Sequence, residues 1–202
     1  YYDGRALQLL DEHNREPIIE KTDLKIPGPH NIQNVLAAVC LCYFYGISKE
    51  TIAEGIRTFA GVEHRLEFVD KVKGVSFVND SKATNVEAAI TGLKAMDTPV
   101  VLIGGGYDKG ADYSPWIEAF SGKVRKLILF GETAEDIYKT AVKYGYRDIT
   151  ICENLEQATR MGYEQAQKGE TVLLSPACAS WDQYESYEHR GRAFKKLVKE
   201  LK

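Results

Sequence analysis

From residue 66 onward, apolar runs of strand length alternate with amphipathic runs of helix length, and few folds accommodate that alternation. Residues 66–72 and 75–78 read as strands joined at Lys73-Gly74. Helices over 85–96, about 114–121, 133–144, 155–167 and 188–201 then alternate with strands at 100–103, 127–130, 149–151 and 172–174. The last helix places Phe194, Leu197, Val198 and Leu201 on one face. Such alternation implies a mostly parallel sheet with helices on both faces, and the leading strand pair adds one antiparallel edge strand. Residues 61–202 are therefore expected to form one α/β, Rossmann-like domain.

Residues 1–60 differ in character. Apolar runs at 6–10, at 18–19 and around Leu24 and Ile26 have no helical period and read as short strands. Pro27-Gly28-Pro29 breaks the chain. A helix follows with Ile32, Val35, Leu36 and Val39 on one face, capped by Asn31 or Asn34. Ser48 caps a second helix, where Ile52, Ile56 and Phe59 share a face. This segment reads as the tail of a preceding domain.

Composition narrows the function. At 202 residues and 44% hydrophobic, the chain has core enough for one domain and part of another. A net charge of −3 with no block of Lys or Arg argues against a nucleic-acid partner. No apolar run approaches the roughly 18 residues a membrane span requires. With no signal peptide and Tyr1 in place of Met, the expectation is a piece of a longer cytoplasmic protein. Cys40, Cys42, Cys152 and Cys178 lack metal-ligand spacing, so they are expected to be reduced and mostly buried, and no metal ligand is expected.

Three polar stretches follow strands, and ligands of open α/β sheets bind outside the carboxyl ends of the strands. The first, Asn-Asp-Ser-Lys-Ala-Thr-Asn at 79–85, supplies a carboxylate, an ammonium, two hydroxyls and two amides. Thr84 and Glu87 fit a capping box. A cap leaves Asp80 and Lys82 unexplained, and they suit a ligand with hydroxyl and anionic groups. The second, Gly-Gly-Gly-Tyr-Asp-Lys at 104–109, matches neither a Walker A loop nor a dinucleotide fingerprint. Its glycines read as a flexible turn, and Lys109 as a partner for carboxylate or phosphate. The third runs from Ser175 to Asp182 and has no triad-like His and Asp, so Ser175 and Ser180 are expected to bind an anion or cap a helix. His64-Arg65 follows the linker, where a ligand between domains would lie.

These pieces resemble the Mur ligases, and among them the D-glutamate-adding branch. The motifs are Pro-Gly-Pro-His-Asn-Ile-Gln-Asn (27–34), His-Arg-Leu-Glu (64–67), Asn-Asp-Ser-Lys-Ala-Thr-Asn (79–85), Gly-Gly-Gly-Tyr-Asp-Lys (104–109) and Leu-Ser-Pro-Ala-Cys-Ala-Ser (174–180), in the family's order. The resemblance implies the end of a central ATPase domain at 1–60 and, at 61–202, the C-terminal domain that binds D-glutamate and closes over ATP. It implies that the phosphate loop and the Mg²⁺ ligands lie upstream, so that this chain alone is inactive. It implies an amide ligase, acting as a monomer in peptidoglycan precursor synthesis, that joins D-glutamate to UDP-N-acetylmuramoyl-L-alanine through an acyl phosphate formed with ATP. By resemblance, Thr84, Lys109 and Ser180 hold the D-glutamate carboxylates, with Tyr187, Trp181 and Lys82 beside them. Asn31, Asn34, Arg65 and Asp80 serve ATP. Two alternatives stay open at this point: another Mur or folylpolyglutamate-type ligase, and a stand-alone α/β nucleotide-binding module without catalysis.

Overall fold

A computed structural model describes residues 1–10 and 15–201. They form two compact units, Tyr1–Gly61 and Val62–Lys202.

In the first unit, strands β1 (Ala6–Leu10) and β2 (Arg15–Glu20) pair antiparallel. The register slips between Leu7 and Gln8, where Gln8 faces Pro17. Proline has no N–H to give the ladder, so an irregularity there is expected. Helices α1 (Pro29–Phe44) and α2 (Lys49–Thr58) follow, and Leu7, Ile18, Ile19, Val35, Val39 and Ile52 make the core. Ser48 caps α2 by accepting from the Thr51 N–H.

Four expectations for this unit are corrected. Leu24 and Ile26 belong to no strand, because a single 3₁₀ turn, Lys21–Asp23, ends the paired region. Neither Asn31 nor Asn34 caps α1. Gly28 stands at the cap with Pro29 at the first helical position, where the missing N–H costs nothing. Phe59 lies past the end of α2 and is exposed. Cys40 is exposed and Cys42 only half-buried, whereas Cys152 and Cys178 are buried as expected.

The second unit is a six-stranded sheet. Its strands are β3 (Glu67–Val72), β4 (Val75–Asn79), β5 (Val100–Gly104), β6 (Val124–Leu129), β7 (Ile149–Ile151) and β8 (Thr171–Leu174). The order is β3-β4-β8-β5-β6-β7, with β3 antiparallel to β4 and every other pair parallel. The connecting helices are α3 (Val86–Lys94), α4 (Ser114–Glu118), α5 (Ala134–Lys143) and α6 (Leu155–Gln165), with α7 (Tyr187–Lys199) after β8.

Alternating side chains of the central strands divide between two cores. Val100, Leu102, Leu127 and Leu129 pack with Val86, Leu93, Trp116 and Ile137 on one face. Val101, Ile103, Ile128 and Val172 pack with Leu155, Ala158, Phe194 and Val198 on the other. Every residue of β5 and β8 is buried, which is why these strands read as unbroken apolar runs. Truncating any of their leucines or isoleucines to alanine would cost about 2–5 kcal/mol, so the sheet is a rigid platform for its carboxyl edge.

Candidate functional site: three turns at the carboxyl edge of the sheet

The three polar stretches follow β4, β5 and β8, and β8 lies between the other two. The chain thereby brings residues 79–85, 104–109 and 175–182 side by side.

The first turn grows out of the ladder. The Asp80 N–H donates to the Leu174 carbonyl at 2.8 Å, and the Ala83 N–H returns to the Asp80 carbonyl at 2.9 Å. Asn85, not Thr84, caps α3, its side chain accepting from the Ala88 N–H at 2.8 Å. The reversal at 80–83 carries the chain one residue further than the capping-box pattern implied. Lys82 Nζ donates to the Tyr187 hydroxyl at 2.8 Å and lies 4.3 Å from the centre of that ring. Lys109 Nζ, from the second turn, donates to the Thr84 carbonyl at 3.0 Å.

The glycines of the second turn are there for close approach, not for flexibility. Gly105 and Gly106 both have positive φ. A Cβ on Gly105 would lie 2.1 Å from the Phe130 carbonyl oxygen, and one on Gly106 would lie 2.2 Å from that of Ala179. The Gly105 and Tyr107 N–H groups donate to the Pro176 and Ala179 carbonyls. The second and third turns are thus stitched together. Tyr107 and Trp181 lean on each other at the surface, ring centres 5.5 Å apart.

The third turn is almost wholly buried. Ser175 Oγ donates to Asp80 Oδ2 at 2.8 Å. Ser180 is 2% exposed, and its hydroxyl has no hydrogen-bond partner. Buried polar atoms are nearly always satisfied, so such an orphan requires an explanation.

Asp80 is buried. Its Oδ1 accepts from the Leu66 N–H at 3.2 Å. Burial pushes its carboxyl up to about 7, against the opposing pull of Ser175, Leu66 and the Arg65 charge. His64 and Leu66 both have positive φ, which is rare for such residues and needs anchoring. The anchors are the His64 N–H to Glu67 Oε2 at 3.0 Å, the Lys82 N–H to the His64 carbonyl at 3.0 Å, and the Leu66–Asp80 bond. Arg65 lies exposed between the two anchored residues. Burial lowers the affinity of His64 for a second proton. Asn79 Nδ2 lies 2.9 Å from His64 Nδ1. If the amide donates there, the network assigns the ring proton to Nε2.

Glu63, His64 and Glu67 could geometrically hold a cation. Lys195 Nζ already bridges Glu63 and Glu67, so the acidic pair is matched by a side chain.

Thr84, Lys109, Lys82 and Tyr187 are therefore linked by direct contacts around one turn, with Ser180 and Trp181 on the neighbouring turn. Asn31 and Asn34 lie on α1 of the first unit, where Asn31 Nδ2 donates to the Pro27 carbonyl and Asn34 Nδ2 to Asn31 Oδ1. Sequence reasoning missed Arg190, which is fully buried beneath the turns. The signal was available: Arg190, Phe194 and Val198 fall at i, i+4 and i+8, which places a charge on the buried stripe of α7.

The fold and this edge define an α/β domain with a polar, cation-bearing site at the carboxyl ends of its strands, and comparison with known proteins supplies the family. The model of the family "Mur ligase, glutamate ligase domain" matches residues 64–178. The chain belongs to the Mur ligase family through that domain. It is 53% identical over 204 residues to the UDP-N-acetylmuramoylalanine–D-glutamate ligase of Thermoanaerobacter sp. (strain X514), a match covering 100% of this chain and 45% of that protein. It is 48% identical over 200 residues to the ligase of the same name from Alkaliphilus oremlandii, covering 99% of this chain and 44% of that one. The chain thus spans under half the length of the curated relatives it matches. Among solved structures, the UDP-N-acetylmuramate-alanine ligase of Thermotoga maritima superposes with a TM-score of 0.67 at 16% identity, over 89% of this chain and 40% of that one. The MurF ligase of Thermotoga maritima, solved in complex with ADP, gives a TM-score of 0.62 at 16% identity, over 100% of this chain and 46% of that one. At such identities these two share the fold.

Proposed function

We propose that this chain is the C-terminal part of an ATP-dependent amide ligase that adds D-glutamate to UDP-N-acetylmuramoyl-L-alanine in peptidoglycan precursor synthesis. One observation carries the reading. Lys82 lies within residues 81–84, the side chains of Lys109 and Arg190 meet that stretch, and among the described residues none of the three has a carboxylate within ion-pair distance. Cations gathered without a carboxylate in direct ion-pair contact, beside the orphaned hydroxyl of Ser180, suit a small dianion such as an acidic amino acid. The names of the curated relatives supply the particular acid.

A carboxylate does not lose its oxygen to an amine unless it is first activated, here as an acyl phosphate. The amino group of D-glutamate attacks that carbon, and the tetrahedral intermediate collapses to the amide and phosphate. Residues of this chain do the holding. Lys109, Lys82, Thr84 and Ser180 fix the two carboxylates of D-glutamate, and Tyr187 and Trp181 pack beside it, so that the amine is presented in one orientation. Asn31, Asn34 and Arg65 serve ATP. Asp80, with both oxygens engaged, serves it by fixing Leu66 and hence Arg65. Mg²⁺ would neutralise phosphate charge, on ligands outside this chain. On this reading the protein acts in the cytoplasm. Separately, among the described residues no helix is long and apolar enough to cross a membrane.

The test is Lys109→Ala in the intact ligase, following ADP release. The KM for D-glutamate rises about tenfold or more, as expected for loss of a charged hydrogen bond, while the KM for ATP holds. An unchanged KM for D-glutamate would remove Lys109 from the site.

A further inference from the structure

Arg190 is 0% exposed. Burying a guanidinium without a carboxylate is expensive, and an apolar side chain would serve the core better. Its donors go instead to neutral acceptors on two turns. Nε donates to Ser81 Oγ at 2.9 Å and Nη2 to the Ser81 carbonyl at 2.9 Å. Nη2 also donates to the Cys178 carbonyl and Nη1 to the Ala179 carbonyl, each at 3.0 Å. Ser81 Oγ in turn donates to the Tyr187 carbonyl at 2.8 Å. The second turn packs against it too, since a Cβ on Gly106 would come within 3.1 Å of Nη1. One side chain thereby ties down the residue before Lys82, the residue before Ser180 and the start of α7. Burial lowers its proton affinity to about 10, which leaves it charged at neutral pH.

We propose that Arg190 is a positioning residue for the acidic amino-acid substrate: from beneath the site it locks Ser180 and residues 81–84 into a receiving geometry, and it adds positive charge that no carboxylate meets in an ion pair. The proposal rests on the ligase reading. Preorganised donors and charge act strongly in a site that excludes water. Losing the fork would loosen the carboxylate-binding turns while leaving the nucleotide and the chemical step alone.

The experiment is steady-state kinetics of the intact ligase. Wild-type enzyme is assayed first, and a failure to release ADP in response to D-glutamate would sink the ligase reading itself. Given that activity, Arg190→Met raises the KM for D-glutamate about tenfold or more. Arg190→Lys, which keeps the charge but not the fork, raises it less. For both variants kcat and the KM for ATP stay within about twofold. Should the Arg190 variants not fold, Ser81→Ala decides, because it removes one acceptor and keeps the cation; it too raises the KM for D-glutamate selectively. A lower melting temperature with an unchanged KM for D-glutamate, or equal rises in the two KM values, overturns the proposal.

Discussion

Asp80→Asn should make this protein more stable at alkaline pH and leave it unchanged in acid. The substitution keeps the shape and removes the charge. The new amide oxygen can still accept from the Leu66 N–H, and the amide nitrogen can donate to Ser175 once that hydroxyl reverses. The buried carboxyl is raised from 3.8 to about 7. That difference of about 3 units, at about 1.4 kcal/mol each, corresponds to about 4 kcal/mol, and relaxation around the ion reduces it to about 2–4 kcal/mol. For a carboxyl raised on folding, the stabilising contribution is complete below 3.8, where both states are protonated. It is lost as pH climbs to about 7, because the unfolded chain ionises first. His64, whose pKa is lowered by burial, has the opposite sign and costs stability as pH falls through 6.5. Its effect cancels between variant and wild type. Urea unfolding followed by tryptophan emission reads the relevant unit, since both tryptophans, Trp116 and Trp181, lie within Val62–Lys202. An equal gap between variant and wild type at about pH 4.5 and about pH 8, on either side of the carboxyl's folded value, would refute the reasoning. So would a variant less stable than wild type at the higher pH.

Gly191→Ala should destabilise the second unit by about 1–3 kcal/mol, because the new Cβ would sit 2.2 Å from Nδ1 of the buried His64; thermal melts check it. Glu170→Ala should cost about 2–3 kcal/mol, because it strips the carboxylate from Arg125 Nε and Nη2 and from the Gln167 N–H. The same melts decide between that and no effect, which would mean that the Arg125 pair is worth no more than a surface ion pair.

The alternation of strands and helices was legible because β5 and β8, covered on both faces, are apolar from Val100 to Ile103 and from Val172 to Leu174. Helix caps were legible only where one candidate stood alone. Ser48 did, whereas Thr84 and Asn85 are adjacent and only the backbone reversal at 80–83 chooses between them. Strand order was not legible. Nothing local in residues 171–174 says that β8 enters between β4 and β5, yet that insertion is what gathers the three polar turns. The glycines at 105 and 106 were visible, but the carbonyls that exclude a Cβ come from Phe130 and Ala179, distant in sequence. Arg190 could have been found by extending the spacing of Phe194 and Val198 back by one turn.

The most direct test of the central claim is amino-acid-dependent ADP release by the intact ligase, supplied with UDP-N-acetylmuramoyl-L-alanine and ATP and offered D-glutamate, L-glutamate and other amino acids one at a time. Release is predicted with D-glutamate alone, together with an amide product between the two substrates. Turnover with a different amino acid in its place, or ADP release that needs none, would contradict it.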